Sequence, residues 1–441
     1  MFFYSKYTIH DLFDPIGIIL LIFSMFLNGS ILYSCLKRHK CHKFGLLTLV
    51  IVISKITAII MHGLFLISFG AEVDAISYYK ISVQWINEGW TIFDCFSIFE
   101  QANFLWGSAK TAFFQSVIFV VVFLSGGSYL GGVSFLFMFF ILSLVSCINS
   151  LLCSNQQYTI SLNSEHRTLA IASLSLFPSQ LFWTSTFVKE ALLLPLNLLL
   201  LSVFIKIWLN QGKTTFLNYF VLIIVGLGLY LIRPPFLLMY VAVICGMVLR
   251  KELLLNYAER QLFRYFFYLT TGGVVFGMFQ LGVMDSYLQE SEGMFINYYD
   301  SGNATVEYGE QFGKNFNNGY RVFLYLPLVL ITVILRPFIW EIGNLISLFA
   351  GIENLFILIF IWRLRSGIRY WRGSNNYIQL GNALTLIAIV GFSVVGLGSF
   401  NLGSISRYRS PMLGVFMLGL ILSYYEQLKQ KAYLGKNSKF D

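Results

Sequence analysis

The chain has 441 residues, of which 57% are hydrophobic, 17% aromatic and 12% charged. A soluble domain carries roughly 25% charged residues, so this composition excludes an ordinary water-soluble domain and indicates an outer surface that faces lipid. The net charge of +9 comes from basic residues clustered between apolar runs, which is typical of cytoplasmic loops and not of a nucleic-acid-binding surface.

Apolar runs follow one another through residues 1–441, which we interpret as a single transmembrane domain. A span needs about 20 apolar residues to cross roughly 30 Å of hydrocarbon, so the runs predict an all-α, polytopic helical bundle of about 11–13 spans. The candidate spans are 14–36, 44–70, 112–126, 129–152, 168–187, 191–209, 215–232, 236–250, 266–284, 322–336, 343–362, 381–400 and 411–427.

Basic clusters predict the orientation of these spans, because Lys and Arg concentrate in cytoplasmic loops. The clusters lie at 37–43, 250–264, 363–372 and 429–439. The segments 71–111, 285–320 and 401–410 are then external, and the aromatic stretches of 71–111 are typical of interfacial helices. Full spans at both 322–336 and 343–362 would break this alternation, so we expect one of them to be re-entrant or to lie flat at the interface.

The first external loop begins with a candidate catalytic acid. Asp74 directly follows a predicted span, and Tyr78 and Tyr79, which come soon after it, are candidate substrate-binding residues. A carboxylate at the membrane surface could take a proton from an acceptor hydroxyl or bind a divalent cation. The alternative is a solvated acid at the start of a loop.

Two further candidate sites contain cations next to apolar runs. Lys189 and Glu190 follow a run that Pro178 interrupts, and Lys189 could bind a phosphate. The alternative is a helix N-terminus at the interface, where the helix dipole favours Glu190. Arg233 could bind a phosphate through two hydrogen bonds, or it could snorkel from a helix end.

The last part of the chain carries three candidate arginines. Arg336 and Glu341 are predicted either to contact substrate or to form an ion pair that shapes a re-entrant turn. Arg407 and Arg409 stand two residues apart on the predicted external side, where a lipid pyrophosphate would offer several anionic oxygens. Binding of bulk lipid headgroups is the alternative for this pair.

Taken together, these stretches resemble the GT-C type of membrane glycosyltransferase, in particular the bacterial multispan proteins of surface-polysaccharide assembly. The resemblance extends loosely over residues 70 to 415. It rests on Asp74 with Tyr78-Tyr79, Phe177-Pro178 through Lys189-Glu190, Arg336-Pro337-Phe338 with Trp340-Glu341, and Arg407-Tyr408-Arg409.

This resemblance implies a polyprenyl-phosphate-linked sugar donor, a saccharide or lipid-linked acceptor, contact with membrane lipid and no nucleic acid. Asp74 would be the base, and the phosphate would be held by Arg407, Arg409, Lys189 or Arg233. It implies a bacterial inner (plasma) membrane with the active site on the external, periplasmic face. No metal-ligating residue and no cofactor are predicted, apart from the divalent cation that Asp74 could bind.

The chain departs from the family pattern at the first loop. Ala75 follows Asp74, where typical members carry a second acid, and two apolar runs precede Asp74 instead of one. Two alternatives therefore remain. In an O-antigen-type polymerase or ligase the site would centre on loop 285–320 with Arg321, whereas a flippase for lipid-linked oligosaccharide would need charges along many spans.

Overall fold

The computed structural model describes a helical chain in two compact units. The described residues are 12–69, 74–152, 163–209, 216–233, 236, 293, 296, 324–342, 345–368, 376–397, 399 and 401–437. The predicted spans 236–250 and 266–284 and the loop 285–320 lie outside the described residues, except for residues 236, 293 and 296. The first unit comprises Met1–Lys206 and Lys213–Pro234, and the second comprises Ile207–Gly212 and Pro235–Asp441.

Helices make up nearly all of the described part of the first unit. They are α1 (Pro15–Arg38), α2 (Phe44–Phe69), α3 (Asp74–Asn87), α4 (Cys95–Trp106), α5 (Ala109–Leu124), α6 (Tyr129–Leu152), α7 (Ser164–Ser175), α8 (Pro178–Trp183), α9 (Glu190–Leu209) and α10 (Phe216–Ile232). The described helices of the second unit are α11 (Leu326–Leu335), α12 (Leu345–Ile368), α13 (Asn376–Leu397) and α14 (Leu402–Asn437).

Five helices in the described part of the chain are long and apolar enough to cross a membrane. They contain the spans Pro15–Arg38, Phe44–Ile67, Tyr129–Leu152, Ser347–Leu364 and Leu380–Leu397. For the described residues, this finding confirms the prediction of an all-α membrane protein. The total of about 11–13 spans stays a prediction.

Three predicted segments differ from the observed helices. The run 168–187 is not one helix, because Pro178 lacks an N–H group and starts the separate helix α8. The segment 322–336 contains the ten-residue helix α11, which at 1.5 Å per residue is about 15 Å long and covers half of a bilayer core. The expected external loop 401–410 is not a loop, because residues from Leu402 onwards form the beginning of α14.

In the first unit, α1 and α6 run side by side in the same direction. Ser128 donates a hydrogen bond of 2.6 Å to Asp14, whose side chain also caps the start of α1. At the other end, His39 and Asn149 share a hydrogen bond of 2.8 Å. Helices α3, α4 and α5 pack around an apolar core that comprises Trp85, Ile98, Ala102, Ala112 and Phe119.

In the second unit, α13 and α14 approach so closely that glycine is needed on both. A Cβ atom on Gly381 would lie 2.7 Å from the carbonyl oxygen of Gly419, and a Cβ on Gly419 would lie 2.7 Å from the carbonyl oxygen of Gly381. Backbones this close pack well in a membrane, where helix association depends on van der Waals contact.

We expect Gly381→Ala to destabilise the second unit by about 1–3 kcal/mol, because the added methyl group meets backbone atoms that cannot move without separating the helices. Thermal unfolding of the purified protein in detergent measures the effect. Gly29→Ala on α1 is the matched control, since its Cβ would meet no atom closer than Val52 Cγ2 at 3.9 Å. Equal unfolding temperatures for Gly381→Ala and wild type would contradict the close packing.

Candidate functional site

The first unit contains a break between α8 and α9 that is buried and not helical. Five consecutive side chains in it are at most 3% exposed, namely Thr184, Ser185, Thr186, Phe187 and Val188. Irregular backbone inside a membrane protein persists when protein groups satisfy its polar atoms. Local hydrogen bonds do part of this, since the Thr184 N–H donates to Gln180 and the Val188 N–H donates to Thr186.

Lys55 holds the beginning of this break from the middle of the candidate span on α2. Its side chain is fully buried, and its ammonium group donates a hydrogen bond to Thr184 Oγ1. The ammonium nitrogen also lies 5.4 Å from the centre of the Phe140 ring. Sequence analysis missed Lys55, although a lysine within a 26-residue apolar helix is itself a sign of a function or a buried partner.

Aromatic residues hold the second half of the break. Tyr129 and Thr186 share a hydrogen bond of 2.7 Å between their hydroxyl groups. Tyr79 donates a hydrogen bond of 2.8 Å to the Gly127 carbonyl, and its ring stacks on Phe187 with 6.0 Å between ring centres. These contacts connect α3 to the break.

Tyr78 and Tyr79, the tyrosines predicted to bind substrate, are packed against other side chains of the protein. Tyr78 and Tyr79 are 4% and 8% exposed, and the Tyr78 ring packs against Trp106 and Phe114. Their predicted contact with substrate stays a prediction, but most of each side chain is already covered by protein.

Lys189 and Glu190 come directly after the break and contact different helices. The Lys189 ammonium group is half-buried and donates a hydrogen bond of 3.0 Å to Thr111 in the first turn of α5. Glu190 is fully buried as the first residue of α9, where the helix dipole favours a negative charge. Arg233 lies 3.3 Å from the Glu190 carboxylate and is itself 23% exposed.

The pairing of Glu190 with Arg233 follows from the antiparallel packing of α9 and α10. At the other end of the same two helices, Lys206 donates a hydrogen bond of 3.1 Å to Asn218. The start of α9 and the end of α10 therefore lie together. Two cations, Lys189 and Arg233, reach this end of the pair from different helices.

Asp74 is exposed as the first residue of α3, and its helix runs parallel to α5. The direction follows from two contacts, because Gln115 donates to the Tyr78 carbonyl and the Trp85 ring packs against Phe119 further along both helices. Tyr79 in the second turn of α3 also reaches the Gly127 carbonyl just beyond the end of α5, so contacts with α3 extend along most of α5, the helix whose first turn contacts Lys189.

Four elements of the first unit, α3, α5, α9 and α10, are thus linked through α5. Helix α5 packs against both α3 and α10, and Lys189 joins it to the start of α9. Asp74 begins α3, Lys189 directly precedes α9 and Arg233 directly follows α10, so the exposed carboxylate and the two partly exposed cations all belong to segments that meet through α5. Such a set can take a proton from a hydroxyl group and stabilise a phosphate anion. We call this set, Asp74, Thr111, Lys189, Glu190 and Arg233, the α3–α10 site.

In the second unit, Arg336 and Glu341 form the predicted ion pair. Arg336 Nε donates hydrogen bonds of 2.8 and 3.1 Å to the two Glu341 oxygens, and the Phe338 N–H donates to the same carboxylate at 2.8 Å. Burial alone would raise the pKa of Glu341, but these hydrogen bonds and the Arg336 charge hold that pKa below its ordinary value. The pair closes the turn after α11, so the predicted ion pair is present, whereas the re-entrant course of this segment and contact with substrate stay predictions.

Arg409 lies inside the second unit with 0% exposure. Its guanidinium group donates to Glu353 and Asn354 on α12 and to the carbonyl groups of Val333, Ile334 and Arg336. The last carbonyl groups of a helix have no partners within the helix and carry partial negative charge, so Arg409 caps the end of α11. A phosphate could reach Arg409 only if this packing opened.

Arg407 and Arg409 do not form the clamp that their spacing suggested. Both lie on α14, where residues two apart point about 200° away from each other. Arg407 is half-buried, and its guanidinium carbon lies 5.7 Å from the centre of the Tyr408 ring. A phosphate-binding role for Arg407 stays a prediction and is independent of Arg409.

No protein-family model matches the chain, and no curated protein or solved structure matches it either.

We expect Arg409→Met to destabilise the second unit by about 3–5 kcal/mol, because it deprives the buried Glu353 carboxylate of its cation. Adding Glu353→Gln should restore part of that loss by removing the buried charge. Thermal unfolding in detergent measures both variants. Arg363→Met, which changes an exposed arginine of α12, should stay within about 0.5 kcal/mol of wild type. Wild-type stability of Arg409→Met would show that the buried network holds nothing together.

Proposed function

We propose that this chain is a membrane glycosyltransferase that moves a sugar or oligosaccharide from a polyprenyl-phosphate-linked donor to an acceptor in cell-surface polysaccharide assembly. The observation that supports the proposal is the α3–α10 site, in which Asp74, Lys189 and Arg233 belong to segments that are linked through α5. The apolar helices around it supply a route by which a lipid-linked donor can approach from the bilayer.

In the proposed reaction, the Asp74 carboxylate takes the proton of an acceptor hydroxyl group. The acceptor oxygen then bonds to the anomeric carbon of the donor sugar, and the bond from that carbon to the phosphate oxygen breaks. The polyprenyl phosphate leaves as an anion. Lys189 stabilises its developing charge, which in a site shielded from water is a large contribution to rate.

Glu190 and Arg233 have supporting parts in this mechanism. Glu190 is fully buried and paired with Arg233, so it orients the arginine and does not serve as a second base. Arg233 keeps 23% of its side chain exposed, and its guanidinium group is proposed to contact a second phosphate oxygen. Phosphate binding by Arg407 stays a separate proposal that is tested on its own.

The proposal includes a location. About 11–13 spans by the length rule, with the basic loops inside, would put the α3–α10 site on the external face of a bacterial inner membrane. Loop 71–111 and loop 285–320 would then both be external, with helices of the former in the interface. The turn 37–43 supports this orientation, because its exposed basic residues belong on the cytoplasmic side.

A flippase for lipid-linked oligosaccharide is the second candidate, and one observation favours it. Lys55, Glu353 and Arg409 are at most 1% exposed within apolar helices, and buried charges in spans often mark a transport pathway. Each of the three is explained above by a structural contact, which is why transfer is preferred here. A polymerase or ligase centred on Arg321 would use the same class of donor. Comparing Asp74→Asn with Arg321→Ala distinguishes it from the proposed transferase.

The test is transfer of labelled sugar from a polyprenyl-phosphate-linked donor pool in membranes with matched protein levels. We expect Asp74→Asn to lower transfer by about 10²- to 10⁴-fold, the usual contribution of a general base. Lys189→Gln should lower it by about 10²-fold or more through loss of charge stabilisation. Arg407→Ala should also lower transfer.

Two matched controls remove the same charges at the far ends of the same helices. Glu88→Gln changes an exposed acid just after α3, and Lys206→Gln changes a lysine near the end of α9. Both should transfer sugar like wild type. Transfer that survives Asp74→Asn but is lost in Arg321→Ala would favour the polymerase. Movement of the donor across vesicles without any transfer would leave the flippase.

A further inference from the structure

Four exposed basic side chains lie in the last turn of α1 and in the turn that joins it to α2. Lys37, Arg38, Lys40 and Lys43 are all exposed, whereas His39 and Cys41 between them are buried. We call residues 37–43 the basic turn. This alternation separates the residues that anchor the turn from those that point outwards.

Hydrogen bonds from neighbouring helices hold the basic turn in place. Arg167 on α7 donates to the His39 carbonyl, and Thr168 donates to the His42 carbonyl at 3.1 Å. The His42 N–H in turn donates to the Ser164 carbonyl at 3.2 Å. The basic side chains are thus presented from a rigid support and not from a loose loop.

Lys40 and Lys43 both have left-handed backbone conformations, with φ of 49° and 48°. Glycine adopts this conformation without cost, whereas a residue with a Cβ atom is strained in it. Strained residues persist where the side chain itself is needed. Lys40 and Lys43 therefore place charged side chains at two positions where glycine would adopt the same backbone conformation with less strain.

The position of the basic turn fits a membrane surface. It joins two helices that are candidate membrane spans, Pro15–Arg38 and Phe44–Ile67, so its cations lie at the level of lipid headgroups. Glu165 at the start of α7 is exposed beside it, but one acid leaves the surface strongly positive. Each basic residue near an anionic membrane contributes about 1 kcal/mol to binding.

We propose that the basic turn is a binding site for the headgroup of an anionic phospholipid, held by Lys40 and Lys43 with Lys37 and Arg38 beside them. The left-handed turn spreads these side chains towards the headgroup phosphate while His39 and Cys41 fix the turn to the helices behind it. This site is independent of sugar transfer and lies at the opposite end of α2 from Asp74.

The experiment counts lipids bound to the purified full-length chain by native mass spectrometry, during titration with phosphatidylglycerol or phosphatidylcholine. The Lys40→Gln/Lys43→Gln variant removes charge and keeps a Cβ atom, whereas Lys40→Gly/Lys43→Gly removes both. Lys40→Arg/Lys43→Arg keeps the charge. Lys429→Gln/Lys431→Gln on α14 is the control with the same loss of charge.

We expect phosphatidylglycerol to bind in preference to phosphatidylcholine, with affinity about fivefold lower for each lysine removed. The arginine variant and the α14 control should bind like wild type. Without lipid, the glycine variant should unfold at a higher temperature than the glutamine variant, because it relieves the left-handed strain. A higher unfolding temperature of the glycine variant would show that the lysines strain the turn, as expected if their side chains are kept for lipid binding.

Three results would overturn the proposal. Equal phosphatidylglycerol binding by all variants would show that the basic turn is not the site. Complete displacement of the lipid by inorganic phosphate would indicate a small-anion site. A glycine variant less stable than the glutamine variant would remove the reason for placing lysines there.

Discussion

The constraint on which this fold depends is the absence of water in the hydrocarbon core, where every backbone polar group needs a partner from the protein. Continuous helices meet it within themselves, but this chain breaks its helices at 184–189 and 336–342. A fully buried basic side chain stands at each break. Lys55 donates to the Thr184 hydroxyl in the first break, whereas Arg409 donates directly to backbone carbonyl groups at the helix end before the second.

The two breaks differ in what they leave accessible. Arg409 is enclosed with Glu353 and directs its donors at protein acceptors, so the second break is closed. The first break ends at Lys189, which stays half-buried beside Thr111. A buried charge is costly unless it is paired, so an accessible cation next to a buried break is a better candidate for an external anion. This difference is why the proposed chemistry is assigned to the first unit.

Sequence reasoning predicted the long helices well and the breaks less well, for physical reasons. Hydropathy averaged over a span locates helices such as Phe44–Phe69, but the same averaging hides a single Lys55 within it. Arg407 and Arg409 look like a pair in the sequence, whereas a helix turns about 100° per residue and separates them. The Arg336–Glu341 pair could be predicted because its partners are local. Contacts between distant segments, such as Lys189 with Thr111, have no local signal.

The central claim is that Lys55 holds the break that positions Lys189, and amide hydrogen exchange of the reconstituted protein tests it most directly. Lys55→Met keeps the length of the side chain and removes its hydrogen bond to Thr184, and Lys206→Met is the matched control on α9. The account predicts several-fold faster exchange across 184–189 in Lys55→Met and wild-type exchange in the control. Unchanged exchange in Lys55→Met would contradict the account.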